Sequence, residues 1–287
     1  MPKLKPVVAM LYDFDGTLAP GNMQEHDFIP ALGMKTKEFW EESNQLAAKN
    51  EMDGILAYMY LMLHKAKASD KRITREAFVD YGRNVELFPG VLDFFLRINA
   101  YGKSKGLEVE HYIISSGLKE LIEGTAIAKE FKKIFASYFY YDVNGTAAWP
   151  AVALNYTSKT QFLFRINKGC LNISDDKSVN KFMQEEQRPV KFRNMIFLGD
   201  GETDVPCMKL VKANGGQSIA VYKPGSSRER ANKLIHEDRV SFVAPANYSE
   251  GKEIDVIVKT VIDKISAQEK LSEFSRTAKE KTNSSKP

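Results

Sequence analysis

Cysteine is nearly absent: Cys170 and Cys207 are the only two in 287 residues. They have no metal-ligand spacing and are too few for a disulfide framework. That excludes a small cystine-stapled scaffold and suits a reducing, cytoplasmic setting. Long apolar runs are also missing. No stretch reaches the roughly 20 residues of a membrane helix, so no membrane association is expected. The first residues carry charge, but the apolar run behind them ends in two aspartates, so a cleavable leader is not expected. Charge of one sign is scarce: 41 basic and 37 acidic residues leave a net charge of +4. That balance does not point to nucleic acid. There is no internal repeat. The four histidines, His26, His64, His111 and His236, are scattered and read as structural or exposed.

What remains is an ordinary soluble composition, 43% apolar and 27% charged. The length suffices for one large α/β domain with an insertion, or for two domains. The informative stretch comes early. Residues 7–12 form an apolar run that reads as a strand buried on both faces, and Asp13-Phe14-Asp15-Gly16-Thr17 follows at once. In extended chain, residues two apart point the same way, so both carboxylates can face one site. In open parallel sheets the ligand crevice lies at the carboxyl ends of the strands.

Two later runs repeat the pattern. Residues 109–114 form a second β-like run, ending apolar at Ile113 and Ile114, and lead into Ser115-Ser116-Gly117. Residues 195–198 lead into Gly199-Asp200-Gly201-Glu202-Thr203-Asp204. Between the first two runs the β signal disappears. Thr36, Asp53 and Thr74 are candidate caps of three helices, the second of them apolar around most of its circumference and read as core. Gln24, Glu25 and His26, at the start of this block, read as a solvated loop, with contact to substrate as the alternative. Residues 135–141, a turn at Asp142-Val143-Asn144-Gly145 and residues 147–156 read as a hairpin. Residues 118–128 and 175–188 read as mostly helical. Residues 218–222 and 240–244 read as short strands, and 251–265 as a final helix.

The expected fold is therefore α/β: a doubly wound, mainly parallel, Rossmann-like sheet with an inserted α-helical cap. The core takes residues 1–20 and 89–268, the cap residues 21–88, and residues 269–287 form a disordered tail.

The strand ends gather Asp13, Asp15, Ser115, Asp200 and Asp204. Clustered carboxylates repel unless a cation sits among them. Oxygen ligands without His or Cys favour a hard cation, and Mg²⁺ fits because it shares its coordination with waters and substrate phosphate. A serine hydroxyl, a lysine and free amides can hold phosphate oxygens.

These motifs, in this order, resemble those of the haloacid dehalogenase superfamily in its phosphatase branch. The resemblance spans residues 7 to about 245, and the position of the cap is similar to that of phosphoserine phosphatase. It implies a phosphatase acting on a small phosphorylated metabolite through an aspartyl-phosphate. Asp13 is then the nucleophile and Asp15 the general acid and base. Ser115 and a lysine bind phosphate, and Thr17 and Gly117 contribute through their backbone. Mg²⁺ is held by Asp13, the Asp15 main-chain carbonyl and Asp200, while Asp204 binds a metal-held water or orients the lysine. Lys168, in Asn167-Lys168-Gly169, matches the family's lysine-glycine pair, with Lys159 and Lys177 as rivals. A phosphotransferase or phosphomutase of the same fold is the alternative, as is a non-catalytic protein that binds a phosphate ligand. Dehalogenation is disfavoured, because carbon–halogen displacement does not need the acid supplied by Asp15. A monomer or homodimer is expected.

Overall fold

A computed structural model describes residues 5–284, with side chains described as far as residue 278. Seven strands form one sheet: β1 (Val7–Tyr12), β2 (Glu108–Leu118), β3 (Lys133–Tyr141), β4 (Ala147–Val152), β5 (Met195–Gly199), β6 (Gln217–Tyr222) and β7 (Phe242–Pro245). Their order across the sheet is β4-β3-β2-β1-β5-β6-β7. Every pair is parallel except β3 with β4, which is antiparallel.

The apolar run of β1 explains its central place. Its residues alternate between two hydrophobic clusters, Val8, Met10 and Tyr12 in one, Ala9 and Leu11 in the other. A strand buried on both faces has no polar side to show. Helices α5 (Val91–Ser104) and α11 (Glu253–Ser284) cover the first face, with Phe94, Phe95, Val258 and Ile262 buried there. Helices α7 (Thr160–Lys168), α9 (Val205–Ala213) and α10 (Glu229–His236) cover the second through Phe162, Ile166, Met208 and Leu234. The sheet is thus doubly wound, as expected.

Between β1 and α5 the chain is helical: α1 (Phe28–Ala31), α2 (Thr36–Asn50), α3 (Gly54–Ala68) and α4 (Arg75–Gly82). The Asp53 carboxylate caps α3 by accepting the Ile55 and Leu56 amides, and Thr74 caps α4 through the Ala77 amide. Both caps satisfy amides that the first helical turn leaves free. Phe28, Phe39, Met59, Met62 and Phe78 join the first cluster, so the block shares a core with one face of the sheet. Phe78 stacks on Phe139 of β3 with ring centroids 5.5 Å apart.

Four boundaries differ from the sequence reading. Helix α6 covers only Lys119–Gly124, and the segment 175–188 holds only the short α8 (Asp176–Asn180) and one further turn at Glu185–Gln187. β4 stops at Val152, because the chain must turn to bring Tyr156–Lys159 back over the sheet edge. The tail expected to be disordered is helical instead: α11 continues to Ser284, and residues 285–287 lie outside the described residues. Its extension is anchored at Glu269, whose carboxylate accepts hydrogen bonds from Lys191, Arg193 and Asn194. Among the described residues, no helix is long and apolar enough to cross a membrane.

Candidate active site

The strand order converts sequence motifs into a site. β1 lies between β2 and β5, with Tyr12 opposite Ile113 on one side and Leu198 on the other. The residues just past these positions are therefore brought together: Asp13 and Asp15, Ser115, and Asp200. All four line one cavity of about 540 Å³.

β2 does not end cleanly at Ile114. Its register against β3 slips between Ile114 and Leu118, where four residues of β2 advance while β3 advances two. The bulge puts Ser115, Ser116 and Gly117 on the cavity wall. Ser115 is 1% exposed, and its Oγ accepts the Gly117 amide at 3.1 Å. The Ser116 carbonyl accepts the Tyr58 hydroxyl at 2.8 Å and the Ser137 hydroxyl at 3.1 Å, which pins the bulge from both sides.

Asp13 is anchored by its own amide, which donates to the Leu198 carbonyl at 2.9 Å. Asp15 accepts the Met23 amide at 2.8 Å. Its carboxyl is held well above the usual range by burial and by the Asp13 charge, against the pull of that amide; Asp200 and Glu25 add to the rise. Two glycines make room. Gly16 has φ +71°, and a Cβ there would stand 2.1 Å from an Asp200 carboxylate oxygen. At Gly117 a Cβ would meet Met23 Cε at 2.3 Å and Asp15 Oδ2 at 2.9 Å.

The structure brings Lys159, and not Lys168, against the carboxylates. Lys159 is fully buried; its Nζ donates to Asp204 Oδ1 at 2.8 Å and to Asp13 Oδ1 at 3.2 Å. Burial works to discharge it, but the Asp13 and Asp204 carboxylates outweigh burial and hold its pKa above the usual lysine range. Lys168 sits at the other end of α7, about 14 Å away along the helix axis at 1.5 Å per residue. There its Nζ donates to the carbonyls of Val179 and Lys181 at 2.6 and 2.7 Å. Lys177 is exposed on α8. A local signal did favour Lys159: it stands at the start of an amphipathic helix, whereas Lys168 falls in that helix's last turn.

Thr17 does not line the cavity. It is fully buried outside the cavity lining, its amide donates to Phe14 at 3.2 Å, and its carbonyl accepts the Tyr248 hydroxyl at 2.8 Å. Gly117 does line the cavity.

One carboxylate oxygen each from Asp13, Asp200 and Asp204 lie within 4.8 Å of one another. Asp200 is pushed up to about 8 by burial and by its Asp13 and Asp204 neighbours. Asp204 is also raised by burial and by Asp13, with Lys159 opposing. One lysine does not balance this many acids. The donor set is hard oxygen only, and it fits a small divalent cation such as Mg²⁺.

The helical block supplies much of the remaining lining. Trp40, Ser43 and Asn44 come from one face of α2, and Ile55 and Tyr58 from one face of α3. Gln24, expected in a solvated loop, is 1% exposed and lines the cavity, and its Oε1 has no hydrogen-bond partner. Leaving such a buried group unpaired costs about 1–3 kcal/mol. Tyr58 had read as plain core. The signal for this wall was a polar Ser43 on the inward stripe of α2, three residues after an aromatic.

A central β1 carrying Asp13 and Asp15, with Asp200 and a buried lysine behind it, defines a hydrolase site on a doubly wound sheet. The family pattern of haloacid dehalogenase-like hydrolases matches residues 10–209, and the chain belongs to that family. An uncharacterized protein of Borreliella burgdorferi is 25% identical over 275 residues, covering 86% of this chain and 94% of its own. A crystal structure of a haloacid dehalogenase family hydrolase from Salmonella enterica serovar Typhi is similar in fold, with TM-score 0.57 and 17% identity over 91% of this chain and 73% of that one. So is a substrate-bound phosphoserine phosphatase, with TM-score 0.55 and 14% identity over 90% of this chain and 99% of that one.

Proposed function

We propose that this chain is a Mg²⁺-dependent phosphatase that hydrolyses a small phosphorylated metabolite by way of an aspartyl-phosphate on Asp13. The observation that carries this reading is Lys159, buried between Asp13 and Asp204, behind a cavity that Asp15, Ser115 and Asp200 share. Family membership and the likeness to phosphoserine phosphatases support a phosphate monoester as the substrate class. The two free cysteines accord with a cytoplasmic setting.

An Asp13 carboxylate oxygen attacks phosphorus, and the bond from phosphorus to the leaving oxygen breaks. Asp15 gives its proton to that oxygen, so the leaving group departs as a neutral alcohol. Asp15 then takes a proton from the water that attacks the acyl phosphate, inorganic phosphate leaves, and Asp13 is restored. Asp15 is placed for both steps by the Met23 amide, which fixes one carboxyl oxygen and leaves the other for the proton. Ser115 donates its hydroxyl to a phosphate oxygen, since its acceptor side is already taken by Gly117. Lys159 donates a hydrogen bond to the Asp13 carboxylate and so keeps it correctly turned. Asp13, Asp200 and the Asp15 main-chain carbonyl would hold Mg²⁺, with Asp204 acting through a bound water. When bound, Mg²⁺ neutralises charge on the transferring phosphoryl group. The helical block over the cavity limits the size of the leaving group and keeps bulk water away.

The test is phosphate release from p-nitrophenyl phosphate. The wild-type chain with Mg²⁺ should turn it over, and Asp13→Asn should not. Equal rates in the two proteins would end this reading.

A further inference from the structure

The wall of the cavity opposite the carboxylates carries no charge of its own. Its side chains from the helical block include Gln24, Trp40, Ser43, Asn44, Ile55 and Tyr58. The acids on the lining are Asp13, Asp15 and Asp200, all on the sheet side. Lys223 is the one basic residue among the described lining residues, and it is exposed.

That distribution constrains the leaving group. An ammonium group entering the cavity asks for a carboxylate, and a carboxylate asks for an arginine or lysine, because desolvated charge is unfavourable without a partner. Glu25 lies beside this wall, but it braces the wall instead. Its Oε1 accepts the Trp40 indole N–H at 2.8 Å and the Asn22 amide at 2.6 Å. The brace fixes Trp40, which stands edge-to-face with Tyr58 at 5.9 Å between ring centroids. A fixed aromatic face suits the C–H side of a polyol or sugar.

Gln24 supplies the complementary polar contact. It is almost fully buried, it lines the cavity, and its Oε1 has no partner within the protein. A carboxamide offers one acceptor and two donors, a match for neighbouring hydroxyls that both give and take hydrogen bonds. Ser116 adds a second buried polar atom without a partner, its Oγ on the bulge of β2.

We infer that Gln24 and the uncharged wall of Trp40, Ser43 and Tyr58 form a leaving-group subsite for a neutral, hydroxyl-rich group, so that the substrate is a polyol or sugar monophosphate and not an amino-acid or amine phosphate. This inference rests on the phosphatase reading above. Gln24 hydrogen-bonds leaving-group hydroxyls, and Trp40 packs against their carbon skeleton.

The experiment compares kcat/KM of the full chain, with Mg²⁺, on glycerol phosphate, a hexose phosphate, phosphoserine, phosphoethanolamine and p-nitrophenyl phosphate. The last has a neutral leaving group without extra hydroxyls and serves as the reference. The wild type should prefer the hydroxylated substrates to phosphoserine and phosphoethanolamine by about tenfold or more, as expected when a buried polar group is matched rather than stranded. In Gln24→Ala the ratio of hexose phosphate to p-nitrophenyl phosphate should fall about tenfold. In Gln24→Glu, nearly the same shape, the ranking should move toward phosphoethanolamine. A wild type that prefers phosphoserine or phosphoethanolamine would overturn the inference, as would an unchanged ratio in Gln24→Ala. Because each readout is a ratio within one protein, partial loss of folded enzyme does not mimic it. No turnover of p-nitrophenyl phosphate by the wild type is a separate result; it would remove the phosphatase reading and this inference with it.

Discussion

Gly16 and Asp200 stand so close that a methyl group on Gly16 would lie 2.1 Å from an Asp200 carboxylate oxygen. The contact joins the turn after β1 to the end of β5, two segments that meet only because their strands pair in parallel. Gly16 also has φ +71°, which costs a side-chain-bearing residue about 1–2 kcal/mol. In Gly16→Ala the Asp200 carboxylate must swing away from Asp13. We expect the Mg²⁺ concentration for half-maximal activity to rise about tenfold to a hundredfold, the usual effect of disturbing the support of a metal ligand. A Mg²⁺ titration of p-nitrophenyl phosphate hydrolysis measures it, and an unchanged midpoint would show that Asp200 is not a ligand.

Lys159 and Lys168 make a paired prediction. Lys159→Met removes the one cation between Asp13 and Asp204 and keeps most of the side-chain volume. Breaking a buried ion pair from one side costs about 3–5 kcal/mol of stability. kcat should also fall by about 10²–10³, as for loss of a single electrostatic donor in a site. Lys168→Met loses two hydrogen bonds to carbonyls of a surface segment and should keep near wild-type kcat. Steady-state kinetics and urea denaturation of the two variants separate the roles. The reverse pattern would return the lysine role to position 168.

His111 predicts an acid-sensitive fold. It is buried on β2, bonded to the Tyr12 hydroxyl and to Asn99, and burial lowers its pKa to about 3. A histidine kept neutral in the folded state and free to protonate near 6.5 when unfolded makes stability rise with pH between those two values. Between pH 7 and pH 5 its contribution should drop by about 2 kcal/mol. Urea midpoints at the two pH values, compared with His111→Gln, test this. If both proteins lose the same stability, another group sets the acid limit.

Much of this fold was legible because β1, β2 and β5 advertise themselves: each is an apolar run closed by Asp, Ser or Gly. A strand buried on both faces leaves no other reading for such a run. Asp13, Asp15, Ser115 and Asp200 followed from those ends. Lys159 did not, because its approach depends on where β4 stops and how the turn at Tyr156 redirects the chain, and Tyr156 itself adopts φ +38°. Gln24 was read as solvated in preference to a substrate contact, for a related reason. A polar residue in a short loop reads as solvated, and only the packing of α2 and α3 over it removes the water. The end of α11 was misjudged because its residues carry no apolar stripe, and Glu269 holds the helix through ion pairs instead.

The central claim is that phosphate passes through Asp13. It is tested most directly by acid-quenching the wild-type enzyme during turnover of a phosphate ester, reducing the acyl phosphate with borohydride, and mapping the modified peptide by mass spectrometry. The account predicts homoserine in place of aspartate at position 13 and at no other carboxylate, and none in Asp13→Asn. Steady phosphate release with Asp13 unmodified throughout would contradict it.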